Sequence, residues 1–134
     1  MDKEQIRNII AIPISFILNE LLGGWDLAMQ TFLIFVIVDR VSGYAKGTIE
    51  GNLNSQKGHK GFAKIILQLC GILVAHRLDL IFESNGATRQ FVIYYLMSIQ
   101  GLSIVENIGT VVEMPDYIVS KLEQLQNKGK KDED

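Results

Sequence analysis

Four apolar stretches in a chain of 134 residues predict an all-α integral membrane protein. It has three to four transmembrane helices, four being favoured, and then a C-terminal amphipathic helix. Three observations carry this. The stretches Ile6–Leu22, Leu27–Gly47, Phe62–Ile81 and Gln90–Gly109 are, the first excepted, close to the roughly 20 helical residues that cross a hydrocarbon core about 30 Å thick. Their centres, Thr31–Val38 and Phe91–Met97 above all, lack the one-sided stripe of a surface helix. Most of the lysine and acid sits in Met1–Arg7, the Lys46–Lys64 connection and the residues after Pro115. A soluble helical bundle is the alternative that composition alone supports, since 21% of residues are charged, near the roughly 25% of globular domains. The chain reads as one unit, with a transmembrane part over residues 1–114 and a cytoplasmic part over 115–134.

The first stretch is the weakest span. Asn8, Pro13, Asn19 and Glu20 interrupt it, and it either crosses or lies in the interface. Lys3 and Arg7 ahead of Ile9–Leu18 imitate a signal peptide, but Pro13 and the absence of a small-residue cleavage pattern argue against removal. In the second stretch Asp39 lies about 18 Å from Leu27, past the midplane. A carboxylate there must be protonated, paired or hydrated, which makes Asp39 a functional candidate or a helix-to-helix hydrogen bond. Arg40 points about 100° away and can snorkel to the interface. Asp79 and Glu106 come near the ends of the third and fourth stretches.

Small and polar residues mark contact faces. Asp39, Gly43 and Gly47 repeat at i, i+4, i+8, as do Gly71, Ala75 and Asp79, so that helix backbones can approach closely. Gln100, Ser103 and Asn107 form a polar stripe on the fourth stretch. These faces serve packing within a subunit or between subunits. Pro115 opens a helix with Tyr117, Ile118, Leu122 and Leu125 near one face, and Asn127–Asp134 is too polar to pack and is expected to be disordered.

Nothing here resembles a reaction centre. His59 and His76 stand without a partner cysteine or carboxylate at ligand spacing, so no metal or other cofactor is expected. Gly51–Gly58 lacks the phosphate-loop spacing and reads as a flexible polar turn. Cys70 is the only cysteine, which rules out an internal disulfide. A net charge of −2 gives no reason to expect a nucleic-acid partner. Lys46, Lys57, Lys60 and Lys64 against a single Glu50 place the second connection in the cytoplasm. Four spans then put both termini there; three leave the N-terminus outside.

Taken together, Asp39–Gly47, Asn52–Gly58, Gly61–Lys64 and the Leu78-Asp79 pair resemble the phage lysis and toxin-secretion holins of Gram-positive bacteria and their phages. Ser103–Gly109 is similar to that family's Ser-Ile-x-Glu-Asn segment, and Pro115 with its Leu/Lys-rich helix resembles the family's C-terminal end. The likeness covers roughly Phe32–Leu125. It implies a non-enzymatic protein of the host cytoplasmic membrane that assembles with itself in the bilayer. Its lesions release a muralytic endolysin, without necessary direct contact, or export a toxin. Two other classes stand beside it: a small four-helix proton-coupled transporter, and a membrane scaffold that binds a partner through Pro115–Leu125.

Overall fold

The computed structural model describes residues 1–53 and 55–131, the side chains of 55–57 and 129–131 excepted. Among these residues every regular element is helical. Helix α1 spans Lys3–Phe16 and runs into a π-helical turn, Ile17–Leu21. It is followed by α2 (Leu27–Glu50), α3 (Ser55–Phe82), α4 (Ala87–Gly109) and α5 (Asp116–Lys131).

Local chemistry sets the boundaries. Asp2 and Gln5 close a capping box on α1, the Asp2 N–H donating to Gln5 Oε1 at 3.2 Å. Pro13 removes a donor from the α1 ladder, and the ladder then widens into the π turn. Asp26 caps α2 by accepting the Met29 N–H at 3.0 Å. Gly51, at φ +67°, ends α2 in the left-handed region that glycine occupies without strain.

Helix α4 is the central element and packs against α2, α3 and α5. The core joins Met29, Phe32 and Val36 of α2 to Ile72 of α3 and to Ile93 and Met97 of α4. The outward faces are apolar as well: Ile37, Leu67 and Ile81 are 61–72% exposed. That arrangement suits lipid, since a water-soluble bundle turns such side chains inward. Among the described residues three helices are long and apolar enough to cross a membrane: Leu27–Glu50, Gly58–Phe82 and Ala87–Gly109. The first segment is not among them. All of α1 is exposed, and its main contact is with the π turn that continues it.

Two boundaries differ from the sequence expectation. The polar turn does not run through to Gly58: α3 begins at Ser55, so His59, Lys60 and Lys64 lie in its opening turns. Gly58 and Gly61 do not break the helix, and Gly61 lets the Arg40 guanidinium lie directly on its backbone. The helix after Pro115 continues past Asn127 to Lys131 because Lys, Gln and Glu are good helix formers and Lys128 finds the Tyr94 ring. The last three residues of the expected disordered tail, 132–134, lie outside the described residues.

Candidate functional site: polar clusters along the bundle

One end of the bundle brings together the start of α2, the end of α3 and the start of α4. Arg89 is its centre, only 4% exposed. Its guanidinium forks onto Asp26, with Nη1 to Oδ2 at 2.7 Å and Nη2 to Oδ1 at 3.1 Å. Nη2 also donates to the Gly24 carbonyl at 3.0 Å, and Nε donates to the Leu22 carbonyl. The planar fork matches a carboxylate bidentately, which an ammonium does not do. The Arg89 guanidinium holds the Asp26 carboxyl below its ordinary value of 3.8; burial opposes this, and the Met29 N–H adds to it.

Asp79 performs a second task at this end. Its Oδ1 accepts from Ser84 Oγ at 2.6 Å and from the Thr88 N–H at 2.9 Å, while Oδ2 accepts from the Arg89 N–H at 2.8 Å. The residue at the helix boundary, Gly86, has no side chain to offer. A carboxylate from α3 therefore caps α4, in the place where the helix dipole favours negative charge. Gly23, at φ +83°, leaves the room this needs: a Cβ there would stand 2.7 Å from Arg89 Cδ and from His76 Nδ1.

The middle of the bundle holds one buried amide pair, Gln100 Nε2 donating to Gln68 Oε1 at 2.9 Å. Ser98, fully buried, returns its hydroxyl to the Tyr95 carbonyl at 2.7 Å.

At the far end Asn107 of α4 reaches across to α2. Its Nδ2 donates to Ser42 Oγ at 3.1 Å and lies 3.5 Å from both the carbonyl oxygen and Oδ1 of Asp39. Asp39 is thus level with the last turn of α4, and α2 continues beyond it alongside the opening of α3. There Arg40 Nη2 donates to the Gly61 carbonyl at 2.9 Å, and its Nε is buried without an acceptor. A groove of about 560 Å³ opens here, lined by Asp39, Gly43, Glu50, Ser103 and Asn107 among others.

The structure separates the residues that the sequence grouped by spacing. Asp39, Gly43 and Asn107 come together, a Cβ on Gly43 standing 3.5 Å from Asn107 Nδ2. A Cβ on Gly47 would stand 3.0 Å from Leu53, and Ala75 is buried in the bundle. Gly71 faces open space, and Glu106 is exposed. Asp26, Gln68 and Arg89 escaped the sequence reading. Gln68 carried one signal, a lone amide inside the apolar run Ile65–Leu73.

These clusters hold helices to one another. Among the described residues no group of three or more His, Cys, Asp or Glu side chains is placed to hold a metal ion. Fold and clusters together define a small helical membrane protein. The chain belongs to the bacteriophage holin family, which matches residues 16–127. It is 26% identical to a probable holin of Bacillus phage phi105 over 74% of each chain. It is 36% identical to an uncharacterized protein of Clostridium perfringens strain 13, covering 79% of this chain and 80% of that one. An uncharacterized 14.9 kDa protein of the same species is 32% identical over 93% and 98%. No solved structure matches the chain.

Proposed function

We propose that this protein is a holin that assembles with itself in the cytoplasmic membrane of the host. It forms lesions through which an endolysin reaches the cell wall, and so times lysis. The observation that carries the reading is the family match over residues 16–127, which takes in every helix with an apolar outward face long enough to span. In this reading α2, α3 and α4 cross the bilayer, and Ile6–Leu22 is the fourth crossing. Its length of about 25 Å falls short of a hydrocarbon core about 30 Å thick. The Lys46–Lys64 connection and α5 then face the cytoplasm with both termini, in keeping with the lysine asymmetry of the connections.

Within the proposal, Asp39, Arg40, Asp79, Glu106 and Asn107 are the polar groups that assembly pairs or hydrates. Gly43, Gly47, Gly71, Ala75, Gln100 and Ser103 set how closely helices approach. Purified protein in liposomes tests it: release of an entrapped dye and of a protein-sized dextran is expected. Liposomes that retain both would overturn the reading.

A further inference from the structure

The groove at the ends of α2 and α4 holds charges of both signs that do not meet. Arg40, Lys46, Asp39 and Glu50 all line it. Among the described residues the ion pairs are Glu4 with Arg7 and Asp26 with Arg89, so neither cation of the groove is matched with either carboxylate. The Asp39 carboxylate's contact is Asn107 Nδ2 at 3.5 Å, the outer limit of a hydrogen bond.

Arg40 is the least satisfied of the four. A guanidinium carries five N–H donors. Among the described residues one hydrogen bond uses them, from Nη2 to the Gly61 carbonyl at 2.9 Å. Its Nε is shut away from water with no acceptor. The group is nevertheless held in place by lying on the backbone of Gly61, where a Cβ would stand 2.6 Å from Cζ. A fixed cation with unused donors suits an oxyanion, and the planar fork suits a phosphate.

Depth decides which phosphate. Gly61 is about 31 Å from the Phe82 end of α3, and Asn107 is about 30 Å from the Ala87 end of α4. Those two ends are joined by residues 83–86 and lie at one bilayer surface. A hydrocarbon core about 30 Å thick then ends at Gly61 and Asn107, and the groove begins where the headgroups of the opposite leaflet begin. Below that level α2 and α3 turn Ile34, Ile37, Ile66 and Leu67 outward, 45–72% exposed, an apolar surface for acyl chains.

Charge decides which headgroup. An anionic head brings its phosphate to Arg40 but leaves Asp39 facing a like charge. A zwitterionic head with a primary ammonium answers both residues: its phosphate accepts from Arg40, and its ammonium donates to Asp39, the adjacent residue at the same level. A quaternary ammonium has no N–H to donate. Glu50 lies about 15 Å further along α2, beyond the reach of such a head.

We propose that the groove at Arg40 and Asp39 binds the phosphoethanolamine head of a phospholipid from the leaflet on the Lys46–Lys64 side, one lipid to each subunit. The site belongs to the single subunit, and it rests on α3 and α4 spanning as in the reading above.

The full chain in mild detergent is given equimolar phosphatidylethanolamine, phosphatidylcholine and phosphatidylglycerol, and native mass spectrometry reads the lipid retained. One phosphatidylethanolamine per subunit is expected, favoured about tenfold over the other two, the effect of one charge-assisted hydrogen bond. Arg40→Gln should lose all three lipids. Gly61→Ala keeps the charge but drives the guanidinium from its place, and should do the same. Asp39→Asn should keep a lipid and bring the three near parity, while Glu50→Gln should match wild type. Glycerophosphoethanolamine, the same head without chains, should displace nothing at equal concentration. Parity in the wild type, retention that survives both Arg40→Gln and Gly61→Ala, a preference that survives Asp39→Asn, or displacement by the chain-free head would overturn the site. Dye release from liposomes separates this site from the holin role: parity among the lipids with leakage intact removes the site and keeps the role. Selective retention without leakage does the reverse.

Discussion

The two ends of the bundle solve the same problem, polar groups between helices, with different chemistry. At the Arg89 end, short charge-assisted bonds fix a buried guanidinium against a carboxylate and two carbonyls. At the Asp39 end a neutral amide makes contacts of 3.1–3.5 Å beside a groove. Charge-assisted bonds are roughly twice as strong as neutral ones, and contacts near 3.5 Å are at the weak limit. The Arg89 end is therefore a rigid clamp. At the Asp39 end the Asn107 contacts are longer and weaker, and Arg40 supplies the one charged donor among the described residues, to the Gly61 carbonyl at 2.9 Å.

Breaking the clamp should have the largest effect. Arg89→Ala removes the charged donor that serves the half-exposed Asp26 carboxylate and two carbonyls, and a loss of about 3 kcal/mol is expected from hydrogen bonds to a charged group; unfolding in mixed micelles followed by circular dichroism measures it. Asp79→Ala uncaps α4 and should remove about 2–3 kcal/mol in the same assay. Gly23→Ala combines a left-handed backbone with a side chain driven into Arg89 and His76, for about 1–3 kcal/mol.

At the Asp39 end the same measurement should move little: Asp39→Leu is expected to change stability by about 1 kcal/mol or less. Its effect should appear in function. Asp39→Asn keeps a hydrogen-bonding group and should retain lysis at equal expression, whereas Asp39→Leu should lose it or shift its timing. Normal timing from the Leu variant would remove Asp39 from the mechanism.

Acid sharpens the contrast by the smallest margin. Because Arg89 lowers the Asp26 pKa below 3.8, the carboxylate's contribution is complete above about pH 4 and is lost as pH falls through the depressed value. Wild-type stability should drop below about pH 4 more steeply than that of Asp26→Asn. Equal slopes would show that the pair contributes nothing.

The spanning helices were legible because continuous apolarity leaves no other place for such segments, and the boundaries of α4 were close to those expected. Asp39, Asn107 and Gln100 stood out for the same reason, as polar groups where water is absent. Arg89 did not, since a charge near a connection is ordinary. Its importance depends on Asp26, 63 residues earlier, and on carbonyls that no side-chain pattern records. Gln68 was legible only as a solitary amide whose partner, Gln100, lay 32 residues on. Spacing within one helix grouped Asp79 with Gly71 and Ala75, but tertiary contact assigns it to the cap of the next helix.

The clamp also imposes an order on biogenesis. Asp26 and the carbonyls of Leu22 and Gly24 leave the ribosome 63–67 residues before the guanidinium that satisfies them. At synthesis rates of roughly 5–20 residues per second, that leaves several seconds in which the start of α2 waits unsealed. Until α4 arrives, water is the partner available to these groups. The arrival of Arg89 then ends this stage in a single step, fastening the Leu22–Asp26 connection to the start of α4.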